Sequence, residues 1–429
     1  MPPIPQRELL RQITDFYLQS HDFNGLPARL LCDSLGRPWE VLRPLAVRLI
    51  QRGLAQVLTA ETELNSHINR TGFPDVDRQV ASLQTEELHH TCFYPSGKHL
   101  AVTVDRSEFA DTPYRLLLAC GEPQLGFVFF DLAILEQYRN DPRYMYECDD
   151  IGGRICVTDD YYRTSEMPDR DQVLLEAFGF AYDENLNRCV VAFIRDLAGL
   201  TPDHQRLWSS RQLDGAYDVH PDWYNSQVLG QWGSRVSIFT AFLDEQRLIN
   251  QMARAMGRPP LFQREFGGAS DPKPRGFSFL VRPTAEESRA FVLLLDKLLS
   301  DNIDADFFGG DLPLEREIRR HDGRVEIQRK GTLSMLDEWF RRHYSTDDWT
   351  PWEEAVKTLK EVRRERARPA HVVDDDAFDQ RYVAQQRELM VRAYGAMRTL
   401  RQALERHPAV RSANITVPEW LERGQIWTC

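Results

Sequence analysis

The sequence predicts an α+β protein in three parts: a small helical unit that runs into a strand, a central antiparallel sheet, and a mainly helical C-terminal region. Three observations carry this. Apolar residues recur at helical spacing from Arg7 to Arg52 and again beyond about Asp203. Between them lie short alternating stretches joined by tight-turn sequences. Polar or Gly/Pro-bearing connectors separate the parts, giving expected domains of 1–61, 88–202 and 203–429.

The first helix spans Arg7 to Gln19, with Leu9, Leu10, Ile13, Phe16 and Tyr17 on one face. His21 to Gly25 is turn chemistry, and a second helix follows over about Pro27 to Leu35. A third runs to Arg52, carrying Leu42, Leu45, Ala46, Leu49 and Ile50. Gly53 ends it, and Leu54 to Thr59 reads as a strand. Pro44 lacks a backbone donor, which predicts a start near Leu42 or a kink. The string VLRPLAVRLIQRGLAQVL resembles the third helix and first wing strand of winged-helix domains. That resemblance implies a docking module. Its third helix would enter a DNA groove with Arg37, Arg43, Arg48 and Gln51 outward, or would meet a protein instead.

A polar connector, Thr62 to about Glu87, precedes the sheet region. Strands are expected at His99–Val104, Tyr114–Ala119 and Leu125–Phe130, and a short helix over Asp131–Tyr138. Two hairpins follow, one turning at Asp149–Gly153 and one at Asp183–Asn187. Strands joined this tightly imply antiparallel pairing. No strand leads into a Gly-rich phosphate loop, so no nucleotide cofactor is expected.

In the last part, Val228, Trp232, Phe239, Phe242, Ile249, Met252 and Met256 predict one long helix over Ser226–Met256. Leu261–Phe266 and Gly276–Val281 read as a strand pair. Thr284 and Glu287 form a capping box ahead of a helix. A strand over Arg324–Lys330 and helices over Leu333–His343, Trp352–Arg366 and Phe378–Arg406 complete the chain.

Charge narrows the functions. Residues 1–58 carry 7 Lys+Arg against 5 Asp+Glu, 59–310 carry 24 against 39, and 311–429 carry 22 against 21. The acidic middle repels phosphate backbones, so DNA or RNA would be met at either end. The densest basic run, Lys360 to Arg368, offers Lys360 and Arg364 as phosphate contacts or as a solvated helix face. No apolar run approaches the roughly 20 residues of a membrane span. The absence of a secretory leader pattern and seven scattered cysteines predict a cytoplasmic protein with free thiols.

Three motifs could carry chemistry. Arg401 and His407 resemble the R-x(4–6)-H element of HEPN-type ribonucleases, which implies an arginine holding a phosphate and a histidine moving a proton at a dimer interface. The same residues also suit a helix C-terminus, where positive charge meets the dipole. Glu326, Gln328 and Lys330 share one strand face and, with Asp306 or Asp311, partly resemble a magnesium-dependent nuclease site. His89, His90 and Cys92 lack the spacing of a metal site, and none is expected. The expected function is a nucleic-acid-associated or assembly protein docking on DNA, a protein partner or a second copy of itself. The enzymatic alternative is a nuclease.

Overall fold

The computed structural model describes residues 6–85, 88–164, 166–233, 235–266, 273–320, 324–367 and 375–428. The chain mixes helices and strands and divides into two compact units, Met1–Tyr146 with Gly152–Gly230, and Glu147–Ile151 with Gln231–Cys429.

The first unit begins with α1 (Gln6–Gln19), β1 (Leu26–Pro27), α2 (Ala28–Leu35), α3 (Trp39–Gln51), β2 (Ala55–Leu58), α4 (Val76–Thr85) and β3 (Cys92–Pro95). The strands form a three-stranded antiparallel sheet in the order β1-β3-β2. Its core joins Leu9 and Ile13 of α1, Leu31 of α2, Leu42, Leu49 and Ile50 of α3, Val57 and Phe93. Gly36 takes a left-handed φ of 60°, which closes α2 at its C-terminus. α3 runs unbroken from Trp39 through Pro44, so the start expected near Leu42 is corrected. Proline is tolerated there because its ring faces solvent, although the donor to the Glu40 carbonyl is lost.

Next come α5 (Gly97–Thr103), α6 (Pro113–Ala119), β4 (Phe127–Phe130), α7 (Ile134–Asn140), β5 (Tyr144–Cys148), β6 (Gly152–Val157), α8 (Asp159–Thr164), β7 (Leu174–Tyr182), β8 (Arg188–Phe193), α9 (Ile194–Ala198), α10 (Pro202–Ser209), β9 (Gln212–Leu213), β10 (Asp218–Val219) and α11 (Pro221–Gln227). The seven-stranded sheet runs β5-β6-β7-β8-β4-β9, with β10 also on β7. The pairings of β6 to β7, β7 to β8, β8 to β4, β4 to β9 and β7 to β10 are antiparallel. Two expected strands are helices. Ser96 caps α5 by accepting the His99 amide at 3.1 Å, and Pro113 opens α6 at its first turn. In both, a short apolar run fitted either period, and the cap decided it.

The second unit holds β11 (Val236–Ser237), α12 (Ile238–Ala255), α13 (Ala285–Leu298), β12 (Glu315–Arg319), β13 (Val325–Arg329), α14 (Thr332–His343), α15 (Thr350–Ala367), α16 (Arg381–Glu405), α17 (Pro408–Ser412), α18 (Glu419–Glu422) and β14 (Ile426–Trp427). Helices α12 to α16 share one core. The long helix expected over Ser226–Met256 is interrupted. α11 ends at Gln227, Gly230 takes a φ of +66°, Trp232 is 81% exposed, and Ser237 caps α12 through the Phe239 amide. Leu261–Phe266 and Gly276–Val281 do not pair as strands; Phe262 bridges Ile303 instead. The Thr284 cap forms, its hydroxyl accepting the Glu287 amide at 3.2 Å. Glu287 turns to the Val281 and Arg282 amides. The last long helix starts at Arg381, leaving Phe378 exposed ahead of it. β11 and β14 pair in parallel, which ties the C-terminal segment to the start of α12.

Candidate functional site

The face of α3 is set by its core side. Trp39, Leu42, Ala46, Leu49 and Ile50 point inward, so Glu40, Val41, Pro44, Arg48 and Gln51 point out. Of the residues expected to read DNA, Arg48 and Gln51 are exposed, whereas Arg37 and Arg43 are half-buried. Val41 is 50% exposed. The outward strip therefore joins one cation to an acid, an amide and two apolar residues. α4, which the sequence left inside a polar connector, packs Val80 and Leu83 against the same core as α3. Its Gln79 accepts the Val57 amide at 2.9 Å, capping the outer edge of β2.

Arg401 is fully buried in α16. Its Nε donates to Glu245 Oε2 at 2.5 Å and its Nη1 to Glu422 Oε1 at 2.8 Å and to Glu405. Burial pushes the Glu245 carboxyl up to about 7, against the pull of Arg401. The guanidinium is committed to three carboxylates and is not offered to a phosphate. His407 caps α17, its Nδ1 accepting the Ala409 amide at 3.3 Å. Burial, with help from Arg258 and His343, lowers its pKa. No hydrogen bond or ion pair joins it to Arg401.

The other candidates are engaged elsewhere. Glu326 pairs with Arg320, Gln328 accepts from Arg316, and Lys330 reaches Glu338 at 2.7 Å. Asp311 accepts from Arg258 and from Trp339 Nε1 at 2.8 Å, and His343 Nε2 lies 3.2 Å from it. Burial alone would raise its pKa, but the Trp339 and Arg258 bonds hold it below the usual carboxylate value. This Arg258–Asp311–His343 cluster draws on three distant stretches, and no local motif announces it. His89 and His90 are exposed, and burial pushes the Cys92 thiol up to about 11, which keeps it protonated. Among the described residues no group of His, Cys, Asp or Glu is placed to hold a metal ion.

In the basic run, Lys360 and Arg364 are exposed one turn apart. Arg366 binds Asp296 and Asp301, and Arg368 lies outside the described residues. An open pocket of about 320 Å³ between α7 and α10 is lined by Ile134, Glu136, Asn140, Leu207 and Arg211. No described helix is long and apolar enough to cross a membrane. No family model, curated protein or solved structure matches the chain.

Of the cations and amides expected to meet nucleic acid, Arg48, Gln51, Lys360 and Arg364 are exposed and Arg37 and Arg43 are half-buried, and the arginine of the expected catalytic pair is enclosed. Arg401 was legible as a helix-end cation. Its partner Glu245 lies in α12, and nothing in either segment announces the pairing.

Proposed function

We propose that the chain is an assembly protein whose residues 6–95 act as a winged-helix-like module, docking a protein partner through the outer strip of α3. The element order α1-β1-α2-α3-β2-α4-β3, with β3 central in the sheet and α4 inserted between the two strands that would form the wing, supports the module. The composition of the strip carries the choice of partner. A phosphate-facing helix would gather cations, whereas Arg48 and the C-cap Arg52 are spread among Glu40, Val41, Pro44 and Gln51 on the outward side. Apolar groups rimmed by single charges suit a protein interface. A nuclease reading has less support, because Arg401 is surrounded by Glu245, Glu405 and Glu422.

The test compares co-purification from cells with the full-length wild type and with Val41→Glu. A protein retained by the wild type and lost with the variant supports the reading. An unchanged set of retained proteins overturns it. Loss of DNA retention in Arg48→Glu, with protein retention intact, transfers α3 to DNA.

A further inference from the structure

The β12–β13 hairpin is a bare ribbon. It pairs Glu315↔Arg329, Arg316↔Gln328, Glu317↔Ile327, Ile318↔Glu326 and Arg319↔Val325, and among the described residues it joins no larger sheet. Every side chain of the two strands is exposed except Ile318, which is half-buried. A two-stranded hairpin alone is marginal in water, and this one is anchored at its base. There the Lys330 amide bonds the Leu314 carbonyl at 2.8 Å, and its Nζ bonds Glu338.

The alternation of the strands sorts the charges. One face holds Arg316, Ile318 and Arg320 opposite Gln328, Glu326 and Arg324. The other holds Glu315, Glu317 and Arg319 opposite Arg329, Ile327 and Val325. The first face has three arginines and one acid; the second balances two arginines against two acids. Arg316 donates to Gln328 at 2.8 Å and Arg320 to Glu326 at 2.6 Å, so both guanidinium groups are held in place on that face.

We propose that the arginine face of the β12–β13 ribbon is a contact element for B-form duplex DNA. The occupant follows from charge and shape. The face is basic while residues 59–310 are acidic, so a polyanion is drawn to the C-terminal region that carries the ribbon and not to the middle of the chain. The B-form major groove, about 12 Å wide, admits a two-stranded ribbon, whereas the deep, narrow A-form groove does not. Arginines spaced along the strands reach phosphates or guanine edges from there. This contact is independent of the α3 reading, because its residues lie in the other unit.

The experiment measures binding of the full-length protein to a short labelled DNA duplex across a salt series. Arg316→Glu with Arg324→Glu is expected to weaken binding about tenfold or more and to flatten the log–log salt slope by about 2. Val325→Thr with Ile327→Thr, on the opposite face, is expected to leave both unchanged. Both pairs are exposed, so circular dichroism and Tm should match the wild type. Four outcomes overturn the proposal: no DNA binding by the wild type, an unchanged slope in the arginine variant, tighter binding of the matching RNA duplex, or a loss confined to the Val325/Ile327 variant. The last would make the ribbon a protein-docking edge.

Discussion

Arg401 and Glu245 meet with neither side chain open to solvent, Nε to Oε2 at 2.5 Å. The pair joins α16 to α12 inside the core of the second unit. Removing the cation leaves Glu245 buried with no counter-charge from Arg401. Arg401→Met should therefore cost about 3–5 kcal/mol of stability, measured by urea unfolding. A loss below about 1 kcal/mol would mean that water or Arg398 replaces the guanidinium.

The same site makes stability depend on pH. Burial raises Glu245 from its ordinary value to about 7, with Arg401 and Arg398 pulling down and Glu405 pushing up. The folded state therefore holds this proton where the unfolded state has released it. The sign is that of an acid whose pKa is raised. Its contribution is favourable below about 4.5 and is lost as pH rises from there through about 7. Glu245→Gln keeps an acceptor for Arg401 and removes the titration. Thermal unfolding across that window should fall less steeply with pH in the variant than in the wild type.

Gly179 on β7 lies beneath the Trp223 ring. A Cβ there would stand 2.3 Å from Trp223 Cδ2, and one at Gly152 would stand 2.3 Å from the Phe178 carbonyl oxygen. Trp223 is buried and stacks on Phe193 with ring centroids 4.9 Å apart, so a new methyl would press on a packed indole. Gly179→Ala should destabilise the protein by about 1–3 kcal/mol. Quenched or red-shifted tryptophan emission would accompany the loss.

Pro44 withholds a helix donor on the exposed side of α3. Pro44→Ala restores that hydrogen bond and gives up only the stiffness proline lends the unfolded chain. A gain of about 1–2 kcal/mol is expected, read as a higher Tm. If the gain is accompanied by weaker co-purification of a partner, the proline ring belongs to the docking strip.

The helical parts were the most legible in sequence, because their apolar period extends over several turns. α3, α13 and α14 follow from Leu42–Ile50, the Thr284 cap and the Leu333–His343 stripe. Short apolar runs were ambiguous. His99–Val104 and Tyr114–Ala119 suit a strand or a helix, and the Ser96 cap and Pro113 tipped them to helix. Trp232 falls on the apolar stripe of Ser226–Met256, which Gly230 and Ser237 interrupt. At the candidate sites, exposure of Arg48, Gln51, Lys360 and Arg364 follows from periodicity alone. The enclosure of Arg401 does not, since Glu245 and Glu422 reach it from α12 and α18. The burial of α4 against α3 was hidden for a similar reason: its apolar side, Val80 and Leu83, is small, and the rest of the segment is polar.

The order β1-β3-β2 fixes when the front of the protein can fold as it leaves the ribosome. β3 bonds to both other strands, yet residues 59–91 separate it from β2. Helices α1 to α3 can form as soon as they emerge, but β1 and β2 have no partner until Pro95 clears the exit tunnel. Closing that span carries a loop entropy that a tight hairpin avoids, so the last step is slow relative to helix formation. A nascent chain of which residues up to about Ala60 have left the tunnel, with β3 still inside, would hold helices over an unpaired Val57–Leu58 edge, a form suited to capture by a chaperone.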